Sequence, residues 1–422
     1  MTTGGLQIGA IADDLTGAAD LGSALARAGL RVAVSAGIPD AAPAAVGAAG
    51  ALDALVVALK IRSAPVGEAV GSALSAAAFL LGAGAPRLYF KYSSTFDSGP
   101  RGNIGPVADA LAESAESDLT VVCPAFPRLG RTVYQGHLFV GAQLLNRAGL
   151  GDHPLTPHLE SSVVALMAAQ TRRGVGLLPL QVVREGPHAI AAGLTGLGAR
   201  GSRYAVTDAV TDADLVALAA ACASHRLLTG SAGLAAGLAA LLGPAGGDRP
   251  SRSWAPPGSG PPAILSGSCS EATRRQVARF ARSGGAVLRL DPDRLGAQAV
   301  SDAVEWAAAR LRREPVLISS LRSDDDLPAA RPDVAAAMES VLAAIARGLY
   351  DRGFRRFVVA GGETSGAIVA ALPVGVLEVG PELSAGVSWM TDGSNRHLLL
   401  ALKSGNFGDD DLLTRAAQPD GG

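Results

Sequence analysis

Cysteine is scarce in this sequence, and its scarcity excludes two kinds of site. The three cysteines, Cys123, Cys222 and Cys269, lie far apart and form no Cys-x-x-Cys pair. A disulfide framework and a structural zinc site both need several cysteines at short, regular spacings. The sequence therefore predicts neither of them.

An excess of basic charge and a long hydrophobic run are missing as well. The 36 Lys and Arg residues are balanced by 38 Asp and Glu residues, with no basic tail or stripe, so we expect no nucleic-acid partner. The most apolar window, residues 41–59, contains Pro43 and Asp53 and is a poor membrane-spanning candidate. The N-terminus has no basic region before a Leu-rich core, which predicts no signal peptide. We expect a cytoplasmic protein without membrane contact.

Aromatic residues are also few: they make up 4% of the 422 residues, whereas alanine and glycine are abundant. This composition is typical of helices packed closely against sheets. Strand-like apolar runs alternate with Ala-rich helical runs, which favours parallel sheets covered on both faces. We predict an α/β fold of two domains, each a mostly parallel sheet flanked by helices. Strands are predicted at residues 6–12, 31–35, 54–58, 88–92, 120–124, 176–179, 204–207, 263–266, 286–290, 316–319, 357–360, 375–379 and 397–402.

A segment rich in glycine and proline divides the chain. Eleven of the twenty residues of Gly243–Pro262 are Gly or Pro, and such a composition supports neither a helix nor a strand. We interpret it as a linker between one domain at residues 1–242 and another at residues 263–422. Each of these is long enough to have its own core.

Two adjacent carboxylates follow the first predicted strand. Leu6–Ala12 leads into Asp13 and Asp14, and then Thr16 and Gly17 open a helical pattern. An open α/β sheet binds its ligand at this place, beyond the carboxyl ends of its strands. The pair can act as bases, metal ligands or hydroxyl acceptors. The alternative is that Asp14 only caps the helix and Asp13 is solvated.

Three further loops of the first predicted domain place polar groups after strands. The Lys-Ile-Arg-Ser segment at residues 60–63 suits an anion, unless it is ordinary surface charge. Residues 93–106 form a long loop of hydroxyls and glycines that suits a polyhydroxylated or anionic ligand. The loop at residues 123–138 carries arginines and His137, which is either a base or a structural residue.

The second predicted domain contains three strand-to-glycine turns, at Ser266–Ser270, Gly361–Gly366 and Lys403–Gly408. Glycine lets the backbone approach phosphate oxygens, and a helix N-terminus adds N–H groups and partial positive charge. Lys403 is a candidate phosphate ligand, and Glu363 or Asp411 is a candidate for a ribose hydroxyl or Mg²⁺. The alternative is three ordinary strand-to-helix turns.

One glycine pattern is misleading. Gly196–Gly201 matches Gly-x-Gly-x-x-Gly, but it follows a helical run and precedes a strand, the reverse of the order in a dinucleotide-binding site. We interpret it as a turn. The sequence has no Gly-x-x-x-x-Gly-Lys-Ser/Thr motif, so it is not a P-loop enzyme.

Taken together, these motifs resemble those of the four-carbon acid sugar kinase family. The matching segments run in order over nearly the whole chain: Ile11–Ala18, Ala58–Ser63, Lys91–Ser98, Gly102–Gly105, Cys123–His137, Ser266–Ser270, Gly361–Gly366 and Lys403–Gly408. The Ser-Thr-Phe-Asp form at Ser94–Asp97 is similar to the 3-oxo-tetronate kinase branch. The chain departs from the family pattern at His158–Ser161 and in its more acidic run Asp409–Asp411.

The resemblance implies an N-terminal domain that binds the sugar acid and a C-terminal domain that binds ATP, with Mg²⁺ expected on the phosphates. It implies phosphorylation of the terminal (4-) hydroxyl of a 3-oxo-tetronate in sugar-acid catabolism. Asp13 or Asp14 would orient that hydroxyl and accept its proton. Arg62, with Lys60, would hold the carboxylate of the substrate.

The resemblance also implies two sets of binding residues. The candidate substrate-binding residues are Thr16, Lys60, Arg62, Ser63, Lys91, Ser94, Thr95, Asp97, Asn103 and Arg131. The candidate ATP-binding residues are Ser266, Gly361, Gly362, Glu363, Thr364 and Gly405. The metal ligands, the stereochemistry of the sugar acid and a homo-oligomeric state are left open.

Three other functions stay open at this point. One is an erythronate or threonate 4-kinase of the same family. The second is a nicotinamide-dependent sugar-acid dehydrogenase, which predicts a dinucleotide motif in the correct order. The third is a non-catalytic sensor of sugar acids.

Overall fold

The computed structural model describes residues 5–40, 52–148, 160–243, 260–310, 313–321, 323, 332–392 and 398–418. The chain divides into two compact units, Met1–Pro250 and Ser251–Gly422. Residues 244–259 of the predicted linker lie outside the described residues. The linker and the domain bounds around it therefore stay predictions.

The first unit is built on a parallel sheet. Its strands are β1 (Ile8–Ala12), β2 (Val32–Ala36), β3 (Ala54–Ala58), β4 (Leu88–Lys91), β5 (Thr120–Cys123), β6 (Arg131–Tyr134), β7 (His137–Val140), β8 (Gln143–Leu144), β9 (Gly174–Leu178), β10 (Ser202–Thr207) and β11 (Leu227–Gly230). Its helices are α1 (Leu15–Arg27), α2 (Val66–Gly82), α3 (Ile104–Ser114), α4 (Val163–Ala168), α5 (Leu180–Arg184), α6 (Pro187–Ala199), α7 (Asp212–Ala221) and α8 (Ala232–Leu242). The main sheet has the order β2-β3-β1-β4-β11-β5-β10-β9, and all its neighbouring strands are parallel.

A small antiparallel sheet, β6-β7-β8, follows β5. The turn between β6 and β7 places Gln135 and Gly136 at positive φ angles of 51° and 73°. The buried carboxylate of Asp208 accepts hydrogen bonds from both of their backbone N–H groups, at 2.7 and 2.8 Å. This carboxylate fixes the tip of the hairpin, because it supplies acceptors that the turn itself lacks.

The second unit has a mostly parallel sheet with an antiparallel edge. Its strands are β12 (Ala263–Ser266), β13 (Ala286–Arg289), β14 (Val316–Ser319), β15 (Arg356–Ala360), β16 (Val376–Ser384), β17 (Val387–Asp392) and β18 (Leu399–Lys403). Its helices are α9 (Glu271–Arg282), α10 (Ala297–Ala308), α11 (Pro332–Asp351), α12 (Gly362–Ala371) and α13 (Leu412–Ala416). The order is β13-β14-β12-β15-β18-β17-β16, antiparallel only from β18 onward. Among the helices that the structure describes, none is both long and apolar enough to span a membrane.

The small side chains of this sequence allow the layers to pack closely. A Cβ added to Gly9 in β1 would lie 2.9 Å from the Cβ atoms of Leu80 and Ala85. A Cβ added to Gly237 in α8 would lie 2.6 Å from the backbone oxygen of Leu215 in α7. Glycine at these places lets helices approach strands and each other without side chains between them. The abundance of Ala and Gly is thus explained by short distances between layers.

The predicted α/β class is confirmed, and most predicted strands are present. Those at residues 54–58, 263–266 and 316–319 coincide with β3, β12 and β14. The prediction omits β11, β17 and the β6–β8 sheet, because short runs such as Leu227–Gly230 carry no periodicity that separates a strand from a buried helix segment. The interpretation of Gly196–Gly201 as a turn is wrong for its first four residues, since α6 continues to Ala199. Helix α6 does precede strand β10, the order that the sequence predicts.

A pair of glycine-to-alanine variants tests the close packing of α7 and α8. Gly237→Ala should destabilise the protein by about 1–3 kcal/mol, because the new methyl group meets backbone that cannot move aside. Gly71→Ala, inside the exposed face of α2 with open space around its Cβ position, should instead stabilise it by about 0.5–1 kcal/mol. Urea unfolding of both variants measures the two effects. Equal effects of the two substitutions would contradict the packing argument.

Candidate active site

The chain leaves β1 through Asp13 and Asp14 and enters α1 directly. Asp14 is the N-cap of α1: its Oδ1 accepts a hydrogen bond from the Gly17 backbone N–H at 2.6 Å. Its Oδ2 accepts a second one from the Thr16 hydroxyl at 3.0 Å. A Cβ at Gly17 would lie 2.5 Å from Asp14 Oδ1, so glycine leaves room for the cap. The two neighbouring carboxylates thus have different surroundings.

Asp13 is buried and is held by Arg62 at two points. Arg62 Nε and Nη2 donate to Asp13 Oδ2 and Oδ1 at 2.8 and 2.9 Å. Burial raises the pKa of Asp13, and the Arg62 guanidinium opposes that shift. The bidentate geometry fixes the position of the carboxylate, and the guanidinium stabilises its charged form. Asp13 is therefore not solvated, contrary to the alternative that the sequence leaves open.

Arg62 contacts more than one carboxylate. Its Nη1 lies 3.1 Å from Asp14 Oδ2 and 3.8 Å from Asp97 Oδ2. Three carboxylates therefore surround one guanidinium at the carboxyl ends of β1 and β3. This surplus of negative charge favours a hydroxyl or a cation over another anion at Arg62.

Asn103 fixes the loop that carries Arg62. Its buried amide donates hydrogen bonds to the backbone oxygens of Ile61 and Ala64, at 2.7 and 2.8 Å. Those two acceptors lie on either side of Arg62. The structure therefore gives Asn103 a positioning contact with the backbone of this loop.

The polar loop after β4 is folded tightly against the same place. The Thr95 hydroxyl donates to Asp97 Oδ1 at 2.6 Å. Phe96 adopts a left-handed φ of 48° and is fully buried in edge-to-face contact with Tyr92. Burying this ring offsets the cost of the unusual backbone conformation. The loop thereby presents Asp97 toward Arg62.

Gln170 is a residue of this site that the sequence analysis missed. Its Oε1 accepts hydrogen bonds from the Ser98 hydroxyl and from the Gly105 backbone N–H, both at 3.0 Å. Its Nε2 donates to the Ser98 backbone oxygen at 3.3 Å. Gln170 therefore joins the middle of the polar loop, at Ser98, to the first turn of α3. Gln170 follows the short helix α4, and no local sequence pattern distinguishes it.

A cavity collects part of the predicted substrate-binding set. Its lining residues are Asp13, Ile61, Arg62, Phe90, Asp97, Ser98, Asn103 and Ile104. The Thr95 hydroxyl donates to Asp97, which lines the cavity, whereas the Thr16 hydroxyl donates to Asp14 beside it in the chain. Among the remaining candidates, Lys60 and Ser63 are exposed, whereas Ser94 is buried.

Lys91 and Arg131 are placed differently from those residues. Lys91 is buried, with its Nζ 3.0 Å from the Tyr92 backbone oxygen and 3.8 Å from Asp20 Oδ2. Arg131 opens β6 and donates to the Leu129 backbone oxygen. His137 is exposed, with its Nδ1 3.1 Å from the Ser161 hydroxyl, which is a structural contact.

The three predicted glycine turns of the second unit converge. The backbone N–H groups of Gly267 and Ser268 donate to the Ala360 oxygen at 3.0 and 3.2 Å. A Cβ at Gly267 would lie 2.1 Å from the Thr364 hydroxyl, and a Cβ at Gly405 would lie 2.6 Å from the Ser268 hydroxyl. The turns therefore touch one another, and a Cβ at either glycine would require the neighbouring hydroxyl to move.

Neutral polar groups dominate this convergence. Ser266 ends β12 fully buried, and its hydroxyl has no hydrogen-bond partner among the described residues. Glu363 is exposed in the first turn of α12. Asp411 instead pairs with Arg279 at 2.7 Å. The described residues contain no group of three or more His, Cys, Asp or Glu side chains suited to a metal ion.

Lys403 is fully buried in this unit. Its Nζ donates to the Gly405 backbone oxygen and to the Thr273 hydroxyl, each at 2.9 Å. The hydroxyls of Ser270 and Thr273 also donate to the Gly405 oxygen, at 2.6 and 2.8 Å. Burial lowers the pKa of Lys403 to about 7. Lys403 thus fixes the Gly405 turn from inside the unit.

Comparison with known proteins assigns a general role to each unit. Residues 8–238 match the family model of a sugar-binding N-terminal domain, and residues 263–413 match that of a nucleotide-binding C-terminal domain. The chain is similar to curated 3-oxo-tetronate kinases of Cupriavidus necator, at 46% identity over 98% of this chain and 97% of that one, and of Methylobacterium radiotolerans, at 45% identity over 97% and 98%. It also resembles a crystal structure of a Salmonella typhimurium protein described as a candidate tRNA synthase, with a TM-score of 0.85 and 37% identity over 97% and 98% of the two chains.

The burial of Lys403 predicts a specific pH dependence of stability. Its pKa is about 7 in the folded state and 10.5 ordinarily, so between these values the unfolded chain binds the extra proton. As the pH increases through this window, the free energy of unfolding of the wild type should rise relative to that of Lys403→Met by up to about 1.4 kcal/mol per pH unit. Below pH 7 the difference between the two proteins should be constant. Urea unfolding of both proteins from pH 6 to pH 10 measures it.

Lys60→Met is the matched control, because Lys60 is exposed. Its free energy of unfolding should run parallel to that of the wild type across the same range. A Lys403→Met variant that also runs parallel to the wild type would show that Lys403 does not lose its charge on folding.

Proposed function

The chain belongs to the four-carbon acid sugar kinase family, and from this premise we propose that it is an ATP-dependent kinase of the 4-hydroxyl of a 3-oxo-tetronate. The observation that carries the proposal is the likeness to curated 3-oxo-tetronate kinases over nearly the whole of both chains. In the reaction, the terminal hydroxyl loses its proton to a base, its oxygen bonds to the γ-phosphorus, and ADP leaves. The proposal includes a cytoplasmic location, because the reaction needs ATP.

Asp13 is our proposed base, and Asp14 is the helix cap beside it. Burial raises the pKa of the Asp13 carboxyl, which makes the carboxylate a better proton acceptor near neutral pH. Its two contacts with Arg62 fix its orientation. Phosphoryl transfer depends mainly on alignment and on neutralisation of charge. A carboxylate held at two points supplies the alignment of the hydroxyl.

The second unit supplies the nucleotide site in this proposal. The residues assigned to ATP are Ser266, Gly361, Gly362, Glu363, Thr364 and Gly405. Their glycines allow close approach of phosphates, and the buried hydroxyl of Ser266 has no hydrogen-bond partner among the described residues. These features favour an anionic ligand bound by backbone N–H groups and hydroxyls.

Mg²⁺ belongs to the proposal as a companion of ATP. A nucleotide-bound Mg²⁺ needs only one or two protein carboxylates, because phosphates and water fill its other positions. That need fits Glu363 at the start of α12, since the described residues contain no group of three or more His, Cys, Asp or Glu side chains that could hold a metal ion by itself. When bound, Mg²⁺ neutralises part of the phosphate charge.

The alternative of a nicotinamide dehydrogenase has no support from Gly196–Gly201, since Gly196–Ala199 are the last residues of helix α6.

A coupled ADP-release assay tests the reaction and its substrate class. The panel contains both 3-oxo-tetronates, erythronate and threonate, each with and without Mg²⁺. We expect Mg²⁺-dependent ADP release with a 3-oxo-tetronate and little with the other acids. Turnover of erythronate alone would move the protein to the sister activity, and binding of tetronates without ADP release would make it a sensor. A change in absorbance at 340 nm with NAD would revive the dehydrogenase.

The two neighbouring aspartates provide a matched test of the base. Asp13→Asn keeps the shape of the side chain but removes the proton acceptor, so kcat should fall by about 10²-fold or more. Asp14→Asn should keep kcat within about threefold, because asparagine caps helices as well as aspartate does. Initial rates with saturating sugar acid and ATP measure both, and calorimetry should show unchanged ATP binding. A larger loss for Asp14→Asn would reverse the assignment.

A further inference from the structure

The contacts of Arg62 leave the carboxylate of the substrate without an obvious partner. All three side-chain nitrogens of Arg62 face carboxylates. Nε and Nη2 bind Asp13, and Nη1 lies near Asp14 and Asp97. A sugar-acid carboxylate at Arg62 would be a fourth anion around one cation. Mutual repulsion disfavours that arrangement, most strongly where the groups are shielded from water. The substrate carboxylate therefore needs a different cation.

Arg131, unlike Arg62, is held in place by the backbone and keeps a side-chain N–H without a hydrogen-bond partner among the described residues. The backbones of Phe126 and Arg131 form an antiparallel bridge, with hydrogen bonds of 2.7 and 3.1 Å, which fixes Arg131 beyond the end of β5. Its guanidinium donates to the Leu129 backbone oxygen. Its Nε is buried and has no hydrogen-bond partner among the described residues. A buried N–H donor without an acceptor destabilises a protein, and more so when the donor is charged.

The charges around Arg131 connect it to the same site. Burial lowers the pKa of Arg131, and the carboxylates of Asp20 and Asp97 oppose this shift. Asp97 also lies 3.8 Å from Arg62, so it stands near both arginines. An anionic ligand at Arg131 would supply an acceptor for Nε and a further counter-charge. Arg guanidinium binds carboxylates in this bidentate manner.

We propose that Arg131, and not Arg62, binds the carboxylate of the sugar acid, so that C1 of the substrate lies at Arg131 and its terminal hydroxyl lies toward Asp13. This inference rests on the proposed function and adds the direction in which the substrate lies. It also gives Arg131 the role of selecting acids over neutral sugars. Arg62 is then a positioning residue for Asp13.

Erythrulose separates the two roles, because it is the neutral analogue of a 3-oxo-tetronate with a hydroxymethyl group in place of the carboxylate. Arg131→Gln should lower kcat/KM for the acid by about 10- to 100-fold, mainly through KM, because one charge-assisted contact is lost. The value for erythrulose should stay within about twofold of the wild type. The preference for the acid over erythrulose should therefore collapse. Arg131→Lys, which keeps the charge, should restore part of the preference.

Two comparison variants make the outcome specific. Arg62→Lys should lower kcat for both substrates and leave the preference for the acid intact. Arg147→Gln, at an exposed arginine, should change neither. Thermal unfolding and ATP binding of each variant exclude misfolding as the cause.

An acid preference that survives in Arg131→Gln, or that collapses in Arg62→Lys instead, would overturn the inference while the proposed kinase stands. Calorimetric titration of the wild type with the acid distinguishes the two failures. Tetronate binding that is weakened by Arg131→Gln, without any ADP release, would support the carboxylate site and refute the kinase. Absence of tetronate binding to the wild type would refute both.

Discussion

The ion pair between Asp13 and Arg62 is the contact on which the first unit's site depends. A buried carboxylate is costly unless a charged and hydrogen-bonded partner accompanies it. Arg62 meets that need with two short hydrogen bonds, and Asn103 holds the loop that carries Arg62. The neighbouring carboxylates of Asp14 and Asp97 then compensate the guanidinium further. The site is thus a network in which each charge positions the next.

The second unit handles charge in a different way. Its three turns are built from glycines, hydroxyls and backbone N–H groups, and they touch one another through positions where a Cβ does not fit. Lys403, which is fully buried, donates hydrogen bonds to the Gly405 oxygen and the Thr273 hydroxyl. A site of this kind binds anions through many weak dipoles, with little fixed charge. The first unit suits a hydroxyl to be activated, and the second suits phosphates to be bound.

The proposed selection of acids rests on a difference between two arginines. Arg62 is surrounded by carboxylates, whereas the buried Nε of Arg131 has no acceptor in the part of the chain that the structure describes. In sequence the two look alike, since each lies in a polar loop after a strand. Only their neighbours distinguish a cation that is already compensated from one that can take a ligand. The same comparison separates Asp13 from Asp14, which are adjacent in the chain but differ in partners.

Local patterns in the sequence determined the α/β class, most strands, the acidic turn after β1 and the three glycine turns, because periodicity, chain breakers and strand ends are local properties. Only the tertiary structure decided which residues meet. Arg62 reaches Asp13 across 49 residues, and Lys403 reaches Thr273 across 130. Gln170 contacts Ser98 across 72 residues. The contact between Arg62 and Asp13 follows from strand order, which places β1 between β3 and β4, and no local pattern encodes the order of strands in a sheet.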